Sequence, residues 1–254
     1  MEKAKNFIKT YWITILIFIA MICGYKYIAD TGMFGGFLFP KVDKITLATT
    51  ENISTLFLNM IYSFQLMIPA ILIAVIIAIL SGTALGMNPK LRKIVYPVIY
   101  SISVIPSILM SPFALLLAPN FRTASLFLVV YNTVWATLFA TINGIMTIDK
   151  IYLDKAETLE LNRAEKLFQV ILPAAMPSIL SGFITSLRGS FVVLVYAEMY
   201  GAKYGMGFYV KKYAEYGLYD RAWSGFIFMV IVLVFVMQIF ERAKNHILRW
   251  TLNN

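Results

Sequence analysis

Two ionisable residues lie deep in apolar sequence, and they bound the chemistry this chain could host. Arg188 sits in "ITSLRGSFVV", and Glu198 follows in "VYAEMYGAKYGMG". On one helix they would be about 15 Å apart, so they cannot pair within it. Counted from Pro177, Arg188 lies roughly 16 Å into its span, near a bilayer midplane. A charge there costs about 2.5–3.5 kcal/mol, so it should face a bundle interior or a watery path. In that place it could attract an anionic or carboxylate-bearing solute, or it could be a structural ion pair or a clamp on backbone carbonyls. Glu198 precedes Gly201, Gly205 and Gly207, which permit turns that side chains forbid. That pattern suits a re-entrant outer segment, buried in protein or lining a cavity. The only histidine is His246 and the only cysteine is Cys23. A His-ligated metal centre, a Ser-His-Asp site and a disulfide framework are thereby excluded, and no catalytic or metal-ligating set remains. No Gly-x-x-x-x-Gly-Lys-Ser/Thr run is present, so the chain cannot hydrolyse ATP itself.

The elements that must hold these residues are membrane helices. Of 254 residues 60% are hydrophobic and 14% charged, and the mean hydropathy is +0.76, values far from those of soluble domains. The net charge of +9 belongs to basic residues flanking the spans rather than to nucleic-acid binding. Six stretches are long enough to cross: residues 11–28, 66–87, 94–117, 125–148, 179–199 and 222–240. The N-terminal run lacks a small-x-small cleavage site and reads as an uncleaved first span. The stretch from Asn52 to Met87 exceeds one span, so Asn52–Ser63 is expected as a separate interfacial helix. With the N-terminus inside, thirteen Lys and Arg fall in inner connections and seven in outer ones, which places both termini in the cytoplasm. The expected fold is all-α, one polytopic domain over residues 1–254. The outer tyrosines and Phe208 form either an interface belt or the lining of a gate.

Between two of these spans lies "DKAETLELNRAEKLFQVILPAAMP", residues 154–177, the most hydrophilic part of the middle of the chain. Ala164, Leu167, Phe168 and Ile171 fall at helical spacing and predict one apolar stripe. Asn162 is a good N-cap, with Glu165 placed to complete a capping box. Pro173 should end this helix, and Pro177 suits the first turn of the next span. A second short helix is expected over 151–161. Such a pair needs a cover, which is either lipid headgroups or a docked protein.

"DKAETLELN…FQVILPAAMP" resembles the Glu-Ala-Ala loop of ABC-importer permeases. "AEMYGAKYGMGFYV" and "ERAKNHILRW" are similar to the corresponding stretches of the nitrate/sulfonate/taurine branch, in the same order over residues 150–250. The first half agrees in layout. The resemblance implies a type I ABC-importer permease in the cell membrane: a homodimeric pore of six-helix chains, two ATPase subunits that bind ATP and Mg, and an extracytoplasmic solute-binding protein. It implies a solute such as a sulfonate, a nitrate-like anion or an aromatic vitamin precursor. The coupling element, residues 149–175, would seat the ATPase through Asp154, Ala156, Leu159, Asn162, Leu167, Phe168 and Ile171. Asp154 stands at the motif Glu, Ala156 at the second Ala, and Leu159 before the motif Gly, where this chain has Glu160. A Glu adopts a left-handed turn only at a cost, so either the break moves to Leu161–Asn162 or the loop is shaped differently. Glu198 belongs to the Ala-Glu-Met motif, with the role of capping or holding the glycine loop. The Arg at 188 departs from the family, where that position is usually small. The rival functions are an intramembrane enzyme, for which convergent catalytic groups are lacking, and a stand-alone channel or secondary carrier, which has no use for a docking loop.

Overall fold

The computed structural model describes residues 2–33 and 35–249, with side chains from Tyr11 onward. Lys3, Lys5 and Lys9 of the charge count, and Trp250 of the C-terminal motif, lie outside the described side chains. Among the described residues eleven α-helices follow one another: α1 (Glu2–Thr31), α2 (Val42–Glu51), α3 (Ile53–Met87), α4 (Pro89–Ser103), α5 (Ser111–Leu117), α6 (Phe121–Met146), α7 (Lys150–Thr158), α8 (Arg163–Glu165), α9 (Leu172–Gly201), α10 (Met206–Glu215) and α11 (Tyr219–Ile247). A 3₁₀ turn, Ser107–Met110, precedes α5, and a π-helical segment, Lys166–Ile171, joins α8 to α9. The chain is all-helical among the described residues, as its hydropathy pattern requires.

Three boundaries differ from the sequence expectation. Asn52–Ser63 is not a separate helix: α2 is the short helix that precedes it, and α3 runs unbroken for 35 residues from Ile53. At 1.5 Å per residue that is about 52 Å, well beyond a hydrocarbon core of roughly 30 Å. Its early turns carry Asn59 and Ser63, whose buried side chains bind backbone elsewhere, so tertiary contacts hold that end helical. The expected span 94–117 is a broken pair, α4 and Ser107–Leu117, bent by 75°. Pro106 removes a donor at the break. The Ile102 carbonyl accepts from Ile105 N at 3.1 Å and from the Tyr131 hydroxyl at 2.6 Å, which is how a membrane protein keeps such a break satisfied. Finally, Pro173 does not end a helix. It follows the π-helical segment directly, at the start of α9, within a helical run that continues from Arg163 to Gly201.

The chain divides into two compact units. One comprises the chain up to Leu56 with Tyr209–Phe228. In it the end of α1 meets the start of α11: Tyr25 packs edge-on to Trp223 at 5.1 Å and donates its hydroxyl to Pro40 O, while Trp223 donates to Leu38 O. Most of the α1 span presents bare apolar side chains, as a lipid-facing helix does.

The other unit comprises Phe57–Phe208 and the chain from Met229. Its spine is the antiparallel pair α6 and α9. Gly182 lies so close to Ala140 and the Ala136 carbonyl that no Cβ would fit, and Gly144 does the same against Ser178. Nearer the start of α6, Thr137 and Ser186 share a 2.9 Å hydrogen bond, and Thr133 and Ser190 one of 2.5 Å. Small residues and buried hydroxyls are what draw helices together where no hydrophobic driving force acts. Gly86, at the end of α3, abuts Ile145, and Gln65 and Leu66 lie beside Asn120 and Phe121. Thus α3 runs parallel to α6. The broken pair must carry the chain from the level of Met87 back to that of Asn120, and it therefore counts as a crossing. With α1 there are six crossings.

Candidate functional site

The 150–171 element is built by local rules that can be read bond by bond. Asp149 caps α7 by accepting from Ile151 N. After Thr158, Glu160 takes φ 52°, the single non-glycine residue with positive φ among those described. Glu160 N donates to Glu157 O at 2.9 Å, and Leu161 N to Ala156 O at 3.2 Å, the paired bonds of a Schellman ending. The break therefore stays at Glu160 and does not move to Leu161–Asn162. Asn162 then opens the next helix: its side chain accepts from Ala164 N and Glu165 N, and the Glu165 carboxylate accepts from Asn162 N, completing the capping box. Lys166 bridges the turn to Glu157 at 2.9 Å. This hydrogen bond and the lysine charge hold the Glu157 carboxyl below the usual carboxylate range.

The apolar residues of the element divide into two sets. Ala156 and Ile171 are buried, and Leu153 and Leu167 pack with Ile171 against Ile145, Ala175 and Ile179 at the ends of α6 and α9. Leu159 and Phe168 point away, 70% and 67% exposed, with Asp154, Asn162, Ile151 and Tyr152 also exposed. The single stripe expected over Ala164, Leu167, Phe168 and Ile171 is therefore not present. The π-helical turns change the residues-per-turn register, so Ala164 and Phe168 swing outward while Leu167 and Ile171 face in. Of the seven residues expected to seat a partner, Ala156, Leu167 and Ile171 serve the chain's own core. Ile151 and Tyr152, outside that set, are exposed as well.

Arg188 and Glu198 are not brought together. Glu198 is almost fully buried, and its Oε2 accepts from Gly207 N at 2.8 Å. Beside it Gly205 N donates to Asn59 Oδ1 and Met206 N to Ser63 Oγ, at 2.8 and 2.9 Å. Three buried acceptors thus fold the segment 205–207 over Glu198. Gly205, at φ 127°, lies where a Cβ would strike the Glu198 carboxyl, and at Gly207 one would strike the Val195 carbonyl oxygen. These two glycines close a structural turn, whereas Gly201 borders a cavity of about 530 Å³ with Arg122, Lys203 and Tyr204. The sequence signal for Asn59 and Ser63 was available: two polar residues four apart, hence on one helix face, in an apolar stretch. The tyrosines of this stretch differ in setting: Tyr204 is exposed and stacks on Tyr62 at 4.7 Å, while Tyr209 is buried.

Arg188 lies about 24 Å along α9 from Leu172 and about 20 Å from Gly201. Its guanidinium reaches Glu241 of α11 at 3.4 Å, and Glu241 is also held by Lys244 at 2.8 Å. Glu241 is roughly 9 Å from the end of α11 at Ile247. Arg188 is therefore near the middle of α9, and it does not stand alone there: it shares a level with Glu241 in the charged final turns of α11. The two helices enclose a groove of about 850 Å³, with Arg188, Gln238, Glu241, Arg242 and Asn245 at one end and apolar side chains such as Val195, Met199 and Met229 at the other.

Against known proteins, residues 70–251 match the family described as binding-protein-dependent transport system inner membrane component. The chain is 28% identical over 191 residues to the taurine transport system permease protein of Escherichia coli (strain K12), covering 75% of this chain and 69% of that one. It is 24% identical over 193 residues to the nitrate import permease protein of Synechococcus elongatus, covering 76% and 67%. A bicarbonate transport system permease protein of the same species is 28% identical over 184 residues, covering 72% and 64%. Among solved structures, a chain of the MetNI methionine ABC transporter, in inward-facing conformations, superposes with a TM-score of 0.63 at 16% identity, covering 78% of this chain and 96% of that one. The fold is that of a type I ABC-importer permease.

Proposed function

This chain belongs to the family of binding-protein-dependent transport system inner membrane components, and we propose that its 150–171 element is the seat through which ATPase subunits drive it. It is the permease subunit of an ABC importer for a small solute, a multi-pass inner-membrane protein and not an enzyme. The observation that supports the seat is the pairing of bare Leu159 and Phe168 with a foot, Leu153, Leu167 and Ile171, wedged against α6 and α9. A load applied to the exposed side chains reaches the spans through that foot. The Schellman turn, the capping box and the Glu157–Lys166 bridge keep the element from deforming instead. Two copies of the chain form the pore, two ATPase subunits supply bound ATP and Mg, and an external binding protein delivers the solute. Alternation between outward and inward access follows ATPase closure. Both termini and the seat are then cytoplasmic.

The solute fits a small anion. The named solutes of the relatives, taurine, nitrate and bicarbonate, carry an anionic group, and the groove beside Arg188 offers a cation. Co-expression with the ABC ATPase subunits of the source organism tests the seat. Leu159→Arg and Phe168→Asp should leave the permease in the membrane and abolish recovery of the ATPase, since each buries an unpaired charge in an apolar contact, at several kcal/mol. Normal ATPase recovery with both variants would exclude this surface as the seat.

A further inference from the structure

We infer that the α9–α11 groove receives the head group of a small organic anion on Arg188, and that the anion displaces Glu241, which serves as its stand-in when the groove is empty. This rests on the importer reading and assigns the solute-selective residues within it. The geometry is that of an exchangeable pair. Glu241 is held closely by Lys244 at 2.8 Å and only by one long contact to Arg188, at 3.4 Å. The Arg188 side chain is 66% exposed and lines the groove, and a guanidinium has five N–H donors, more than the one contact to Glu241 uses. An arriving carboxylate or sulfonate can take two parallel N–H donors from Arg188, a stronger arrangement than the contact it replaces. Glu241 is not left uncompensated, because Lys244 keeps its charge. Arg242 adds a second cation at the same end. Beyond the charges the groove is apolar, lined by Val192, Val195 and Met199 of α9 facing Met229 and Leu233 of α11, which suits a solute with a hydrocarbon body. The occupant is thus an amphipathic anion rather than a bare inorganic one.

Cysteine protection reads the groove without requiring transport, so it can fail while ATPase recovery stands, and the reverse. In a Cys23→Ser background, Val192→Cys, one helical turn from Arg188, is placed in nanodiscs of phosphatidylcholine as the assembled transporter. Its maleimide labelling is followed with benzenesulfonate or with the neutral, similarly shaped benzenesulfonamide. Benzenesulfonate should slow labelling and benzenesulfonamide should not. Arg188→Met should raise the half-protecting concentration about tenfold or more, as expected from losing a charge-assisted hydrogen bond. Glu241→Gln should lower it, because Arg188 then has no competitor. Lys244→Met should raise it, because Glu241 is then left to Arg188 alone. Equal protection by the two compounds, or protection unchanged in Arg188→Met, overturns the inference. So does a Val192→Cys that never labels, or one protected only when phosphatidylglycerol replaces the neutral lipid, since the groove then belongs to protein or to a lipid headgroup.

Discussion

Single residues in this protein are held by backbone geometry more than by side-chain chemistry, and Glu160 is the clearest case. An L-residue at φ 52° is strained by about 1–2 kcal/mol, while glycine gives back part of that gain through its greater freedom when unfolded. Glu160→Gly should therefore stabilise the turn by a net ~0.5–1 kcal/mol, visible as slower amide exchange over 156–162. Glu160→Val should do the opposite by at least as much, because a β-branched side chain tolerates that region poorly. Equal exchange in both variants would mean that the strain is not borne there. Glu198 is a second case. Removing its carboxyl leaves the buried Gly207 N–H without an acceptor, a loss of about 1–3 kcal/mol. Glu198→Ala should lower the thermal midpoint of the purified protein clearly, whereas Glu198→Gln keeps an acceptor oxygen and should lower it little. An Ala variant that melts with the wild type would remove Glu198 from the role of loop anchor.

The elements differ in how far short-range rules explain them. The ends of α7 and α8 obey their local sequence: Asn162 and Glu165 form the capping box that their spacing announces, and Asn162→Ala should destabilise the junction by about 1 kcal/mol. The Glu157–Lys166 bridge across that junction has a definite pH behaviour. Because the folded carboxyl is held below its ordinary value, the bridge contributes fully above the unfolded carboxylate pKa and is lost only as pH falls through the lowered folded one. Proteolytic nicking of 158–162 should thus be the same at pH 7 and pH 5, and a marked rise by pH 5 would contradict the pairing. The face of the same element was not legible, because the π-helical turns that rotate Phe168 outward arise where the chain must join α9 while seating Leu167 and Ile171 in the core. The α6–α9 seam was likewise invisible in hydropathy. Gly182→Leu should still insert into the membrane but destabilise the pair by about 1–3 kcal/mol, since there is no room beside Ala140.

At the scale of the whole molecule the six crossings set a topology that can be measured. In a Cys23→Ser background, cysteines at Asn120 and Lys203 should react with an impermeant reagent from outside and one at Lys155 should not. The reverse pattern would turn the molecule over and detach the seat from the ATPase side. That six helical crossings exist follows from the sequence by itself: apolar runs of bilayer length, basic flanks and caps are properties of neighbouring residues. So is the exclusion of a multi-His or multi-Cys metal centre, a disulfide framework and a Walker-type ATP site, which is a matter of which side chains and motifs are present at all. Only the tertiary structure decided that Pro106 breaks a crossing rather than ending one, and that Asn59 and Ser63 reach the segment after Glu198. It also decided that Arg188 has Glu241 for company, 53 residues away. Those outcomes depend on which distant segments meet, and in a lipid-facing chain hydropathy is nearly uniform. The choice of neighbours then falls to a few glycines, hydroxyls and charges whose partners no local pattern names.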